Sequence, residues 1–214
     1  IVSNTSLRIL PQLPQLILTS LWVGMERKRS RKVTWGYFKA MLHPMAMLYE
    51  KILNVNSSLD LKLGGGTAER TFQMSRFLAK QPGVQCTVLT LNIDSSVSRA
   101  LALLPARKVD LPCLWRRFYL PSAGWRTINR LVADADIIHL MGHWSVLNLL
   151  VYWAARRAGK PYVLCPAGSL PIFGRSAILK RLYNFLVGST IIKNAAGWVA
   201  VTASELPHFE LHGV

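Results

Sequence analysis

Short apolar runs alternate with stretches of helical periodicity from Lys51 to the end of this chain, and that alternation constrains its fold most. Ile52–Asn56 reads as a first strand. After a polar, glycine-rich loop over Ser57–Gly66, Thr67–Lys80 reads as a helix. Ala68, Phe72, Ser75 and Ala79 share one face of it, and Pro82-Gly83 ends it. Val84–Leu91 is a second strand. Ser95–Leu104 is read as a helix and Leu111–Tyr119 as holding a strand, both on weaker patterns. Trp125–Ala133 (helix), Asp136–Leu140 (strand), Val146–Ala158 (helix, stopped by Gly159) and Pro161–Cys165 (strand) then follow. Ile178–Asn194 is a long helix, Gly197–Val201 a strand, and Ser204 an N-cap of a last helix. Strands that alternate with helices pair in parallel through βαβ units. The predicted fold is therefore α/β, a Rossmann-like, doubly wound, mostly parallel sheet. Residues 1–46 show no clean periodicity and are set apart as an N-terminal extension, with one domain over 47–214.

The chain has 214 residues, of which 51% are hydrophobic and 17% charged. That apolar fraction can bury one core and argues against disorder. Lys and Arg number 26 against 10 Asp and Glu, a formal charge of +16. Such a field attracts anions in general, whether nucleic acid, acidic headgroups or nucleotide diphosphates. It equally fits a solvated basic surface. Cys86, Cys113 and Cys165 are odd in number and widely spaced, which suits reduced thiols rather than a disulfide framework or a zinc site. No stretch reaches the ~20 apolar residues of a membrane-spanning helix. The apolar segment Leu16–Met25 precedes the basic cluster at Arg27–Lys32, the reverse of a signal peptide's order. The sequence opens on Ile1 rather than Met, so processing or a fragment is expected.

In a doubly wound sheet, ligands sit at the carboxyl ends of the strands, which directs attention to the loops there. The first loop carries Gly64-Gly65-Gly66 just before Thr67-Ala68-Glu69-Arg70. Adjacent glycines let backbone N–H groups approach an anion, and the helix that follows presents its positive end. The bland alternative is a flexible turn. A dinucleotide fingerprint would need glycine where Glu69 stands, and no Gly-Lys-Ser/Thr triplet makes a Walker A loop. The next strand runs Ile137-Ile138-His139-Leu140, followed by Met141-Gly142-His143-Trp144. His139, inside the strand, reads as a satisfied core histidine. His143, just past the strand end, could face a cleft as a hydroxyl-orienting group or general base. Trp144 could stack on a sugar ring or pack in the core. After Cys165, Gly168 and Ser169 could offer backbone or hydroxyl contacts. Arg175 and Lys180 could hold a phosphate or be surface charges. Ser204 and Glu205 put a hydroxyl and a carboxylate at the last strand end, where a cap and a first-turn acid are the simpler roles. No Ser-His-Asp order, carboxylate pair or metal cluster stands out. The residues alone reach an α/β domain with an anion site.

Taken as an ordered set, several segments resemble the N-terminal domain of glycosyltransferase family 4, with the GT-B fold, over roughly residues 51–214. They are Leu63–Arg70, Ala135–Leu140 with Gly142-His143-Trp144, Gly159–Val163, and Lys180–Tyr183 running on to Thr202–Glu205. No single piece is specific. The resemblance implies two Rossmann-like lobes across a cleft. The N-terminal lobe mainly holds the acceptor, and the C-terminal lobe mainly holds the nucleotide-sugar donor. It implies transfer with retention of configuration, without a metal or other cofactor. It places Gly64 and Gly65 near the donor diphosphate and His143 and Trp144 on the acceptor side. Joined with the reading of the loops, the expected site is Gly64, Gly65 and Gly66 for the diphosphate, His143 as the catalytic candidate, and Trp144, Gly168, Ser169, Arg175, Lys180, Ser204 and Glu205 lining the cleft. Two departures stand against it. The family often carries His where this chain has Ala167. The sequence also stops at Val214, near the expected start of the linker to the second lobe, so the fragment alone is expected to be inactive.

The leading expectation is therefore the acceptor-side domain of a transferase that builds a cell-surface glycan. Its acceptor would be a glycan or lipid-linked group. Its place would be cytoplasmic, peripheral at the inner membrane face, where the basic surface meets anionic lipid. The competing reading is a non-enzymatic basic module for nucleic acid or anionic membrane, with nucleic acid the less favoured partner. A Rossmann oxidoreductase is disfavoured by Glu69 and by the absence of an acid close after the second strand until Asp94.

Overall fold

The computed structural model of the chain describes residues 50–93, 104–172 and 176–214, with the backbone alone at 61–63. The expected extension over 1–46, most of the Ser95–Leu104 helix and Arg175 lie outside the described residues.

The strands are β1 (Lys51–Val55), β2 (Gln85–Asn92), β3 (Arg107–Trp115), β4 (Leu120–Pro121), β5 (Ile137–Met141), β6 (Tyr162–Cys165) and β7 (Gly197–Trp198). They form one sheet in the order β4-β3-β2-β1-β5-β6-β7. Every pairing is parallel except that of the short edge strand β4 with β3. Without β4, the order is that of the doubly wound dinucleotide-binding fold. The predicted fold class holds. Its central strands are buried on both faces, which is why Ile52–Val55 and Ile137–Met141 read as near-continuous apolar runs.

The main helices are α1 (Leu61–Leu78), α2 (Trp125–Asp134), α3 (Val146–Ala158), α4 (Ala177–Tyr183), α5 (Ser189–Lys193) and α6 (Leu206–Glu210). They divide between the two faces. Met74 and Leu78 of α1 meet Ile52, Val88, Ile137 and Val163 in one cluster. Ile128 and Leu131 of α2, Leu147 and Val151 of α3, and Ile191 and Ile192 of α5 meet Leu53, Leu89, Ile138 and Leu140 in the other. Each fully buried Leu or Ile contributes about 1.5–3 kcal/mol of transfer free energy, so both faces are anchored. Ser145 starts α3 by accepting the N–H of Asn148 at 3.0 Å, the N-cap pattern for a short hydroxyl side chain.

Four expectations need adjustment. The weakly patterned strand expected within Leu111–Tyr119 begins earlier, at Arg107, because its first half pairs with β2 while Leu114 and Trp115 stay exposed at the sheet edge. The helix after the triglycine begins before it, at Leu61, and breaks at Gly65 (φ 50°, ψ −130°). Ile178–Asn194 is α4 and α5 joined by a π-turn over Asn184–Gly188. Ser204 lies inside a 3₁₀ turn, Ala203–Glu205, and Glu205 takes the N-cap position of α6. Cys86 and Cys165 are buried free thiols, both pushed up to about 12 chiefly by burial, and Cys113 is free and half-buried.

Candidate functional site

The strand order reverses between β1 and β5. β2 and β3 lie to one side of β1, and β5, β6 and β7 to the other. At such a switch point the loops leave in opposite directions and open a crevice outside the carboxyl ends. β1 and β5 end in register, with Val55 beside Leu140. The triglycine, Gly142–Trp144 and Gly168 therefore share one rim.

Asn56 ties the first loop down. Its side-chain amide donates to the Thr67 carbonyl at 3.0 Å and to Thr71 Oγ1 at 2.9 Å, fastening the start of the long part of α1 to the end of β1. Its Oδ1 accepts the Ser58 N–H at 3.4 Å, and Ser58 Oγ accepts the Asp60 N–H at 3.2 Å. Thr67 Oγ1 donates to the Gly64 carbonyl at 2.7 Å. Gly65 takes a left-handed φ that side chains resist, and the helix restarts behind it with its amide end toward the rim. The three glycines are not equivalent. A Cβ at Gly64 would stand 2.8 Å from the Ser58 carbonyl, whereas one at Gly65 or Gly66 would meet nothing within 4 Å. Gly64 is required by packing, and Gly66 faces open space.

The wall opposite is aromatic. His143, only 2% exposed, lies edge-on to Trp144 and Tyr183, with ring centroids 4.6 and 5.5 Å away. Its Nε2 meets Asn184 Oδ1 at 3.0 Å, which places the proton on Nε2. Its Nδ1 is buried with no partner among the described residues. Burial pushes its pKa down to about 4, opposed by the Asn184 hydrogen bond and aided by His212. The ring is thus neutral at pH 7, and it sits beneath the rim rather than on it. Tyr183 Oη donates to the His143 carbonyl at 3.3 Å.

Trp144 Nε1 donates to the Ser169 carbonyl. Lys180 Nζ lies 5.3 Å from the Trp144 ring centroid, a cation–π approach. Trp144 therefore links the β5 loop, the β6 loop and α4. Ser169 Oγ donates to the Pro166 carbonyl at 2.6 Å, so its hydroxyl proton serves its own turn. In that turn Ala167 (φ 53°) and exposed Gly168 (φ 79°) are both left-handed.

Ser204 and Glu205 lie past β7, two strands beyond β5. Glu205 is buried and its carboxylate accepts the Val201 N–H at 3.2 Å, so it closes its own loop. Exposed Ser204 pairs with Thr202 Oγ1 at 2.8 Å. His139 is a core histidine as expected, but it is not satisfied. Its Nδ1 has no partner among the described residues, and burial with nearby Arg70 pushes its pKa down to about 4.

Asn56, Tyr183, Asn184 and Gly188 were not among the site residues expected from the sequence, although they hold the site together. A Cβ at Gly188 would stand 2.8 Å from Tyr183 Cδ1 and would collide with Asn184 Oδ1. A glycine in the middle of a helical pattern was the available signal. Asn184, 41 positions from His143, gave none. Among the described residues no group of His, Cys, Asp and Glu could hold a metal ion.

A parallel sheet with the strand order reversed about β1 and β5 defines the class of Rossmann-like α/β domains. The family follows from comparison with known proteins. The glycosyl transferase 4-like domain family matches residues 65–214, and the chain belongs to that family. This is the recognition expected from the ordered segments. Among solved structures, the chain is similar to Anabaena Alr3699/HepE. Its complex with UDP-glucose has a TM-score of 0.55 at 14% identity, over 76% of this chain and 40% of that one. The complex with UDP and glucose gives 0.53 at 15%, over 76% and 41%. At those identities the likeness shows the fold, and this chain spans about two fifths of those proteins. No curated protein matches the chain.

Proposed function

We propose that this domain is the acceptor-side lobe of a retaining glycosyltransferase that moves a sugar from a nucleotide-sugar donor to a glycan or lipid-linked acceptor. One observation carries the reading: the kinked triglycine turn opens a helix tip at the switch point, beside the aromatic rim of the β5 loop. Backbone N–H groups there suit a donor diphosphate held from the far side by a second lobe. Membership of the glycosyl transferase 4-like family supports it, as do the UDP-glucose, UDP and glucose bound to the Alr3699/HepE structures.

In this reading Gly64–Gly66 receive the diphosphate, and Trp144, steadied by Lys180 and the Ser169 carbonyl, stacks on acceptor sugar. Gly168 gives backbone access. His143 is a positioning residue. Its neutral ring, fixed by Asn184, supports Trp144 from below. Transfer needs no metal or cofactor, and the lobe alone turns over little.

Gly66→Leu tests this. Its side chain enters open space at the helix tip, so the fold should keep its melting temperature. In a polypeptide carrying both lobes, nucleoside diphosphate release from a panel of nucleotide sugars should fall at least about tenfold, the loss of roughly one charge-assisted hydrogen bond. EDTA should leave the rate unchanged. Equal rates in the variant would remove the glycine turn from the mechanism. Salt-sensitive DNA retention without any release would favour the non-enzymatic basic module instead.

A further inference from the structure

The helical segment α4 with its π-turn packs inward through Tyr183, Val187 and Gly188. Its opposite face is apolar and bare. Ile178 is 81% exposed, Phe185 86% and Leu186 68%, and Leu179 and Leu182 are also exposed. At helical spacing Ile178, Leu182 and Phe185 stack along one line, with Leu179 and Leu186 beside it. Large apolar side chains exposed singly are ordinary, but five on one ridge are not.

The helical run that carries the ridge, from Ala177 to Lys193, holds Lys180, Arg181 and Lys193 and no Asp or Glu. Arg181 is exposed on the ridge's flank. An exposed apolar ridge on a helix whose only charged side chains are basic has the chemistry of a helix lying in a lipid interface, apolar side down and cations at the headgroups. A second copy of the chain would bring the same positive field against this one. No described helix is long and apolar enough to cross a membrane, so the contact is with a surface.

We propose that the ridge Ile178-Leu179-Leu182-Phe185-Leu186 docks the domain on an anionic lipid bilayer. The same helix sends Lys180 to the Trp144 ring, so docking would hold the rim of the cleft beside the headgroups. The proposal does not depend on the transferase reading, because its readout is vesicle binding rather than nucleotide release.

The test is co-sedimentation of the chain with phosphatidylcholine vesicles, with and without phosphatidylglycerol. The chain should pellet with the anionic vesicles and stay in solution with the neutral ones. Ile178→Ser/Phe185→Ser removes two exposed side chains, so circular dichroism and melting temperature should not change. Its partitioning should drop at least about tenfold, and Arg181→Glu should weaken binding further in low salt. Wild-type partitioning by the double variant, or equal binding to neutral vesicles, would overturn the proposal. So would a dimer in analytical ultracentrifugation that the double variant dissolves while vesicle binding is absent, since the ridge would then belong to a second copy.

Discussion

Acidification should destabilise this domain before its carboxylates titrate, because two histidines are buried uncharged. His139 and His143 are 1% and 2% exposed, and each has its pKa pushed down to about 4. The unfolded chain carries both near the ordinary 6.5. Below pH 6.5 the unfolded state therefore binds more protons than the folded one, and stability falls with pH until the folded pKa is reached. Between pH 7.5 and 5 one such histidine removes about 2 kcal/mol, and the independent pair about 4 kcal/mol, at 1.36 kcal/mol per pKa unit. That is a large share of the 5–15 kcal/mol typical of a domain. Half-buried His212, also lowered by burial and by Lys193, acts in the same direction. The window lies above the ordinary carboxylate range, so carboxylates contribute little. Urea denaturation at pH 7.5, 6.5, 5.8 and 5 would trace the loss, the pH steps being placed about the ordinary histidine value. His139→Leu and His143→Leu should each shrink the pH-dependent drop by about 2 kcal/mol, whatever they do to absolute stability. A change under about 1 kcal/mol in the parent chain would refute the reasoning. So would the same pH profile in both variants, since the drop would then come from charge repulsion elsewhere.

Two further substitutions test the local geometry. Gly188→Ala should destabilise the chain by about 2 kcal/mol in urea, even after about 1 kcal/mol of gained helix propensity, because the methyl displaces Asn184 from His143 and crowds the Tyr183 ring. Ala167→Gly should stabilise it by about 0.5–1 kcal/mol in the same assay, because φ 53° strains an alanine more than glycine's added unfolded-state entropy costs.

The sequence by itself determined the framework. Val55, Ile137, Ile138 and Leu140 sit in runs apolar on both faces, and only a strand covered by helices on both sides can bury such a run. Helical periodicity between the runs fixed the parallel crossovers, and the glycines before Thr67 marked a turn into a helix. Placing that turn with Gly142 and Gly168 needed only the rule that strand ends carry the loops. The family was legible for the same reason, since its segments are the strand ends themselves.

The tertiary structure alone decided what those loops touch. His143 was placed at a strand end by sequence, yet Asn184, Tyr183 and Trp144 enclose it, and the helix that brings Asn184 and Tyr183 is set by the packing of Ile191 and Ile192. Glu205 looked available to the cleft and is spent on the Val201 amide. Gly64 and Gly66 are the same letter, but one lies against a carbonyl and the other faces open space. Periodicity records which side of an element is buried. It holds no information about which distant side chain arrives there, because that depends on how whole elements pack across the sheet.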